Sequence, residues 1–105
     1  MALGDLEQLV LLAILHLGDD AYGVTIAQIL RDKARRDLAM ATVYTTLERL
    51  ESKGYLDSHL GDPTAARGGK RKRFFRVNAA GERAVRESLS ALNALTAGLG
   101  RRFQS

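Results

Sequence analysis

Cysteine is absent from the 105 residues, which rules out a disulfide framework and cysteine-ligated zinc and fits a reducing cytoplasm. Tryptophan is absent as well, and three tyrosines and three phenylalanines are too few for a large aromatic cage within one subunit. The only histidines, His16 and His59, fall on different elements, with no nucleophile–base pair, carboxylate dyad or metal-ligand spacing beside them. Gly69-Lys70 lacks the Ser/Thr that follows in a P-loop, and the earlier glycine of that motif is replaced by Thr64. No catalysis, metal or cofactor is therefore expected. The longest unbroken apolar run, Leu9 to Leu15, is too short to span a bilayer, and Asp5 and Glu7 ahead of it make a poor start for a secretion signal. A soluble, cytoplasmic protein without a membrane partner is the expectation.

Lysine and arginine are missing from residues 1–30, which carry four acids. They are concentrated in residues 61–78, where Arg67, Lys70, Arg71, Lys72, Arg73 and Arg76 face a single acid, Asp62. Such segregation is a footprint expected of a polyanion binder, although a charge run taken alone is more often a solvated face. A chain of 105 residues suggests one domain with a modest core, which self-association would help to stabilise.

The element order follows from the pattern. Asp5 with Gln8 three residues later reads as a capping box opening a helix over 6–17, stopped by Gly18. Its sequence, LEQLVLLAILHL, is apolar nearly all round, so it must be covered on two sides. Asp19-Asp20 form a turn, a second helix fits 22–35, and the connector DLAMA leads to a third over 41–53, closed by Gly54. YLDSHL and RKRFFRV read as two strands around the loop GDPTAARGG, with Pro63 and Gly68-Gly69 as breakers. Asn78 caps a last helix over 79–99. The fold class is mainly α with a small β-hairpin: a winged helix-turn-helix over 1–78, then a C-terminal dimerisation helix and tail over 79–105.

On the third helix, Val43, Leu47 and Leu50 fall on the core side, Thr45 points away from it, and Thr42, Thr46, Arg49 and Lys53 share one flank. Tyr44, Glu48 and Glu51 share the other. The hydroxyl and cationic flank suits base edges in a major groove; alone, the helix is also an ordinary amphipathic one. On the second strand Arg71, Arg73, Phe75 and Val77 alternate with Lys70, Lys72, Phe74 and Arg76, so its apolar end can anchor in the core while its basic end grips phosphates. A helix and a neighbouring basic hairpin support each other, and double-stranded DNA becomes the expected partner. The alternative is a winged-helix interaction module whose wing meets an acidic protein.

Three stretches, LEQLVLLAILHLGDDAYGVTI, TVYTTLERLESKGYL and RGGKRKRFFRVNAAG, resemble in that order the PadR family of bacterial transcriptional regulators, from about Leu3 to Glu87. The resemblance implies a homodimeric winged-helix DNA-binding protein, mostly a repressor in that family, often relieved by a small phenolic or hydrophobic effector. It implies that the C-terminal helix packs against the partner's first helix. Carried onto this chain, it makes the third helix the recognition helix, with contacts from Thr42, Tyr44 and Thr45 and the Tyr22 hydroxyl near a phosphate. The helical wheel puts Tyr44 on the glutamate flank instead. Two departures stand out: Ala39 and Ala41 replace the serine and glycine common in the connector, and only one helix follows the wing.

The dimer would account for the over-hydrophobic first helix. Val85, Leu89, Leu92, Leu95 and Leu99 form a seam at three- and four-residue spacing, which covers either the chain's own core or a second subunit. Two apolar helices exceed the needs of one small core, so the interface is expected to join that seam to Leu6, Leu9, Val10 and Ala13. An effector cavity between subunits would lie near Leu9, Ala13 and Leu92.

Overall fold

The computed structural model describes residues 3–62 and 71–103. Four helices, α1 (Asp5–Leu17), α2 (Gly23–Ala34), α3 (Met40–Ser52) and α4 (Ala79–Thr96), surround an antiparallel hairpin of β1 (Leu56–Leu60) and β2 (Arg73–Val77) inserted between α3 and α4. Short 3₁₀ turns at Gly18–Asp20 and Gly100–Phe103 complete the elements. In the hairpin Leu56 faces Val77 and Leu60 faces Arg73. A third extended segment joins it: the Phe75 N–H donates to the Ala21 carbonyl at 2.9 Å, and Tyr22 bridges Phe74, so β2 lies between β1 and the start of α2. This is the expected winged helix, with helix boundaries within three residues of those read from the pattern.

The start of α1 differs from expectation. The helix includes Asp5, so Gly4 holds the cap position and Glu7 reaches back to accept the Gly4 N–H at 2.7 Å. Gln8 instead accepts the Ser88 hydroxyl of α4 at 2.7 Å. Both pairs have the three-residue spacing of a capping box; packing decides between them, because Glu7 is buried against Lys53.

One core unites the elements. Val10, Leu11, Ala13 and Ile14 of α1 pack with Ile26 and Leu30 of α2, Val43, Leu47 and Leu50 of α3, Leu56 and Phe75 of the hairpin, and Val85 of α4. The first half of α4 therefore belongs to this core. Beyond Ser88 the helix projects with its leucines uncovered, in a molecule 55 Å long and only 27 by 21 Å across.

The wing and α4 meet at Asn78. Its carboxamide oxygen accepts the Gly81 N–H at 2.9 Å, capping α4, while its nitrogen donates to the Gly54 carbonyl at 2.9 Å. This draws Gly81 against the Tyr55 backbone. A Cβ at Gly81 would overlap the Tyr55 carbonyl oxygen and lie 2.8 Å from Val77 Cγ1. Gly81→Ala should therefore destabilise the fold by about 2 kcal/mol, against the usual preference of helices for alanine. Thermal denaturation checks this, and an unchanged or higher Tm would refute the close approach.

Candidate nucleic-acid interface

The third helix starts without a side-chain cap. Ala39 is extended, and its carbonyl accepts the N–H groups of Thr42 and Val43 at 3.0 and 3.2 Å. Val43, Leu47 and Leu50 are buried as the wheel requires, leaving Ala41, Thr42, Tyr44, Thr45, Glu48 and Arg49 exposed. The Thr45 hydroxyl donates to the Ala41 carbonyl at 2.8 Å, so its methyl and oxygen lone pairs remain available to a ligand.

Thr46 is not part of this exposed set. It is only 5% exposed, and its hydroxyl donates to the Thr42 carbonyl at 2.8 Å. The first turn of α1 lies over this flank, with Gly4, Asp5, Leu6 and Glu7 bordering one recess together with Thr46, Arg49 and Lys53. Lys53 is taken up as well, its Nζ 2.8 Å from Glu7 Oε1. Burial pushes the Glu7 carboxyl up, but the Lys53 ammonium, the Gly4 N–H and the charges of Lys53 and Arg49 outweigh it and leave the group below its ordinary value. A wheel sorts one helix about a single core direction and has no term for a second neighbour.

On the other flank, Tyr44 leans across the start of α2. A Cβ on Gly23 would lie 2.5 Å from the Tyr44 hydroxyl oxygen, so only glycine leaves the ring its present position. The two expectations for Tyr44 are therefore compatible: it leaves α3 on the glutamate side, and its hydroxyl ends beside the Tyr22–Gly23 pair.

Tyr22 carries the wing. Its ring meets Phe74 edge-on at 5.5 Å, and Phe74 stacks on His59 at 5.7 Å. The Lys72 ammonium sits 4.5 Å above the Tyr22 ring and 3.4 Å from its hydroxyl. This is cation–π geometry that holds a flexible lysine in one place. Contacts thus run without a break from Tyr44 of α3 through Gly23 and Tyr22 to Lys72, and join the exposed face of α3 to the basic hairpin. Arg71 and Arg76 are exposed. Arg73 is exposed but turned toward α3, its Nη1 3.1 Å from Ser58 Oγ, which in turn donates to Glu51 Oε2 at 2.6 Å. Arg67 and Lys70 lie outside the described residues.

The model of the Transcriptional regulator PadR-like family matches residues 11–87. The chain belongs to the PadR family of transcriptional regulators. It is thus a protein of DNA-binding regulation. A PadR family regulator from Eggerthella lenta DSM 2243 superimposes with a TM-score of 0.70 at 28% identity, covering 96% of this chain and 88% of that one. A PadR-like regulator from Bacillus cereus strain ATCC 14579 gives 0.74 at 15% identity, over 95% and 92% of the two chains. A transcriptional regulator from Clostridium thermocellum gives 0.71 at 21%, over 93% and 92%. The last two establish the fold alone. No curated protein matches the chain.

The PadR fold also determines where the expected interface residues lie. Val10, Ala13 and Val85 are buried in the chain's own core, because α4 folds back onto its own α1 as far as Ser88. In the single chain these three are therefore covered by its own core, whereas the helical spacing counts them with the pairing seam. Leu6 and Leu9 are half-buried, and Leu89, Leu92, Leu95 and Leu99 are exposed. Leu9 and Ala13 border an apolar recess of about 190 Å³ between α1 and α2, completed by Leu12, Ile29, Leu30 and Ala34 with His16 and Lys33 at its edge. No described helix is long and apolar enough to cross a membrane.

Proposed function

We propose that this PadR regulator is a cytoplasmic homodimer that represses transcription by binding a roughly palindromic operator. The α3 helix enters the major groove and reads base edges with Thr42, Thr45 and Arg49, while the wing, through Arg71 and Lys72 and with the Tyr22 and Tyr44 hydroxyls beside it, holds the phosphate backbone. Two such heads spaced by one helical turn, about 34 Å, would contact both half-sites. The second half of α4, from Leu89 onward, is the pairing element. A small hydrophobic or phenolic effector would act at that pairing, against Leu9 and Leu92, with Ala13 in the wall of the recess beside Leu9.

The observation that supports this reading most is the unbroken contact from Tyr44 to Lys72. It aligns a hydroxyl-rich helix face with a fixed cation on one surface. Lys72→Ala should weaken binding to every duplex by roughly five- to tenfold and flatten the dependence of log K on log salt by about 0.9 per subunit. Thr45→Ala should leave that slope alone and alter preference among operator variants, where a wrong base costs about 1–3 kcal/mol. Gel-shift titrations at two salt concentrations separate the two effects, and unchanged binding in both variants would refute these roles.

A further inference from the structure

Arg35 is the only non-glycine with a positive φ, 58°, among the described residues; Gly18, Gly54, Gly98 and Gly100 hold the other such positions. It ends α2 in the left-handed conformation, with its own N–H and that of Arg36 directed to the Leu30 carbonyl. Glycine is the residue this cap favours, since a Cβ there crowds the backbone. The chain instead places a long cation where its backbone would be more stable without one.

The other two arginines beside it are already paired. Residues 31–37, RDKARRD, hold four cations and two acids. Arg31 pairs with Asp32 at 3.5 Å, Arg36 pairs with Asp5 at 3.1 Å, and Lys33 lies along the α1–α2 recess. Arg35 is exposed and has neither an ion pair nor a side-chain hydrogen bond among the described residues.

Its place in the fold is set by its neighbour. The Arg36–Asp5 pair fastens the α2–α3 turn to the first turn of α1. The next residue, Leu6, borders Ala41, Thr42, Thr45 and Arg49 of α3. The wing borders the opposite flank, where Arg73 and Phe75 meet Tyr44, Glu48 and Glu51. The turn and the wing therefore stand on opposite sides of the recognition helix.

We propose that Arg35 is a second phosphate clamp, gripping the DNA backbone on the side of the groove away from the wing. This rests on the DNA-binding reading above. A helix in a major groove has a phosphate strand on each side, and the wing serves only one of them. A guanidinium forms two parallel hydrogen bonds to a phosphate and keeps its charge at any working pH, which suits it to the other. The cost of the unfavourable backbone conformation is borne in the free protein and offset on DNA.

The test is a substitution that separates stability from binding. Arg35→Gly should raise the Tm by a few degrees at fixed protein concentration, by relieving the backbone. The same variant should bind operator and random duplexes about tenfold more weakly. Its salt slope should be shallower by about two for a dimer, since each subunit then neutralises one phosphate fewer. Arg35→Asn, which tolerates the same conformation, should show the same loss of affinity and slope. Unchanged affinity and slope in both variants overturn the proposal. Lys72→Ala in the same titrations keeps the two readings apart. If it weakens binding while both Arg35 variants bind like the parent, only the second clamp falls; a parent protein that binds no duplex overturns both.

Discussion

Leu92→Asp is expected to yield a protein that sediments as a monomer and binds a two-half-site operator at least a hundredfold more weakly than its parent. In the isolated chain Leu92 is 49% exposed and Leu95 76% on the outer face of α4, and the segment that follows the end of the helix at Thr96 adds exposed Leu99 and Phe103. A leucine fully buried from water contributes about 1.5–3 kcal/mol, and twofold pairing counts each one twice. Four leucines per chain, with 37–76% of their surface still to be buried, would supply a large part of the free energy that offsets the cost of association, and an aspartate at the centre of the stripe places two carboxylates in the seam. Within the subunit the change costs little, because Leu92 has left the core by then. Loss of DNA affinity follows from loss of avidity: two linked heads bind about 10²–10⁴ more tightly than one. Analytical ultracentrifugation beside gel shifts checks both parts. A variant that still sediments as the parent does, or a parent that is itself monomeric at micromolar concentration, would refute the pairing role of α4.

Lys53→Met should cost about 2–3 kcal/mol at neutral pH and lower the Tm by roughly 10 °C. Glu7 is 7% exposed, and Lys53 Nζ, at 2.8 Å, is its one cationic partner within salt-bridge distance among the described residues. Removing that partner leaves a carboxylate held by the Gly4 N–H and the charge of Arg49 in a site whose burial disfavours its charge. The figure lies at the low end for a broken buried pair because the Lys53 side chain is 20% exposed and partly screened. The pH dependence has a definite sign. A carboxyl held below its ordinary value stabilises the fold above the unfolded-state pKa, about 4.3, and that contribution disappears as pH falls through the lower folded value. In Lys53→Met burial acts with less opposition, so the difference between variant and parent should be largest at neutral pH and shrink in acid. Glu7→Gln combined with Lys53→Met should recover much of the loss, since replacing both partners removes the stranded charge. A single variant as stable as its parent across this range would show that the pair contributes nothing.

The pair also marks the limit of local sequence patterns. Gly4 to Glu7 has the spacing of a capping box, but Asp5 to Gln8 has the same spacing with a better capping residue, and nothing local distinguishes them. Lys53 lies 46 positions from Glu7, and a contact at that separation leaves no periodic trace. Thr46 defeats the helical wheel for the same reason, since α1 covers its part of a flank on which Thr42 and Arg49 stay exposed. A left-handed backbone at Arg35 carries no composition signal at all. The exposed stripe from Leu89 to Leu95 is legible, as is Asn78 at the cap of α4, because both depend on spacings within a single helix; Leu99, placed on the same helix by its spacing, lies beyond the end of α4 at Thr96.

Local chemistry in the sequence was enough to determine four helices and a hairpin in order, the core side of α3, and the concentration of cations in the wing. Each depends on periodicity, capping or turn residues that act over a few positions. Tertiary structure alone decided which exposed groups remain free. It buried Thr46, engaged Lys53 and Arg36, turned Arg73 toward Ser58, seated Lys72 on Tyr22 and left Arg35 without a partner among the described residues. Whether a charge is available to a ligand depends on which distant element folds against it, and that is a property of packing in three dimensions.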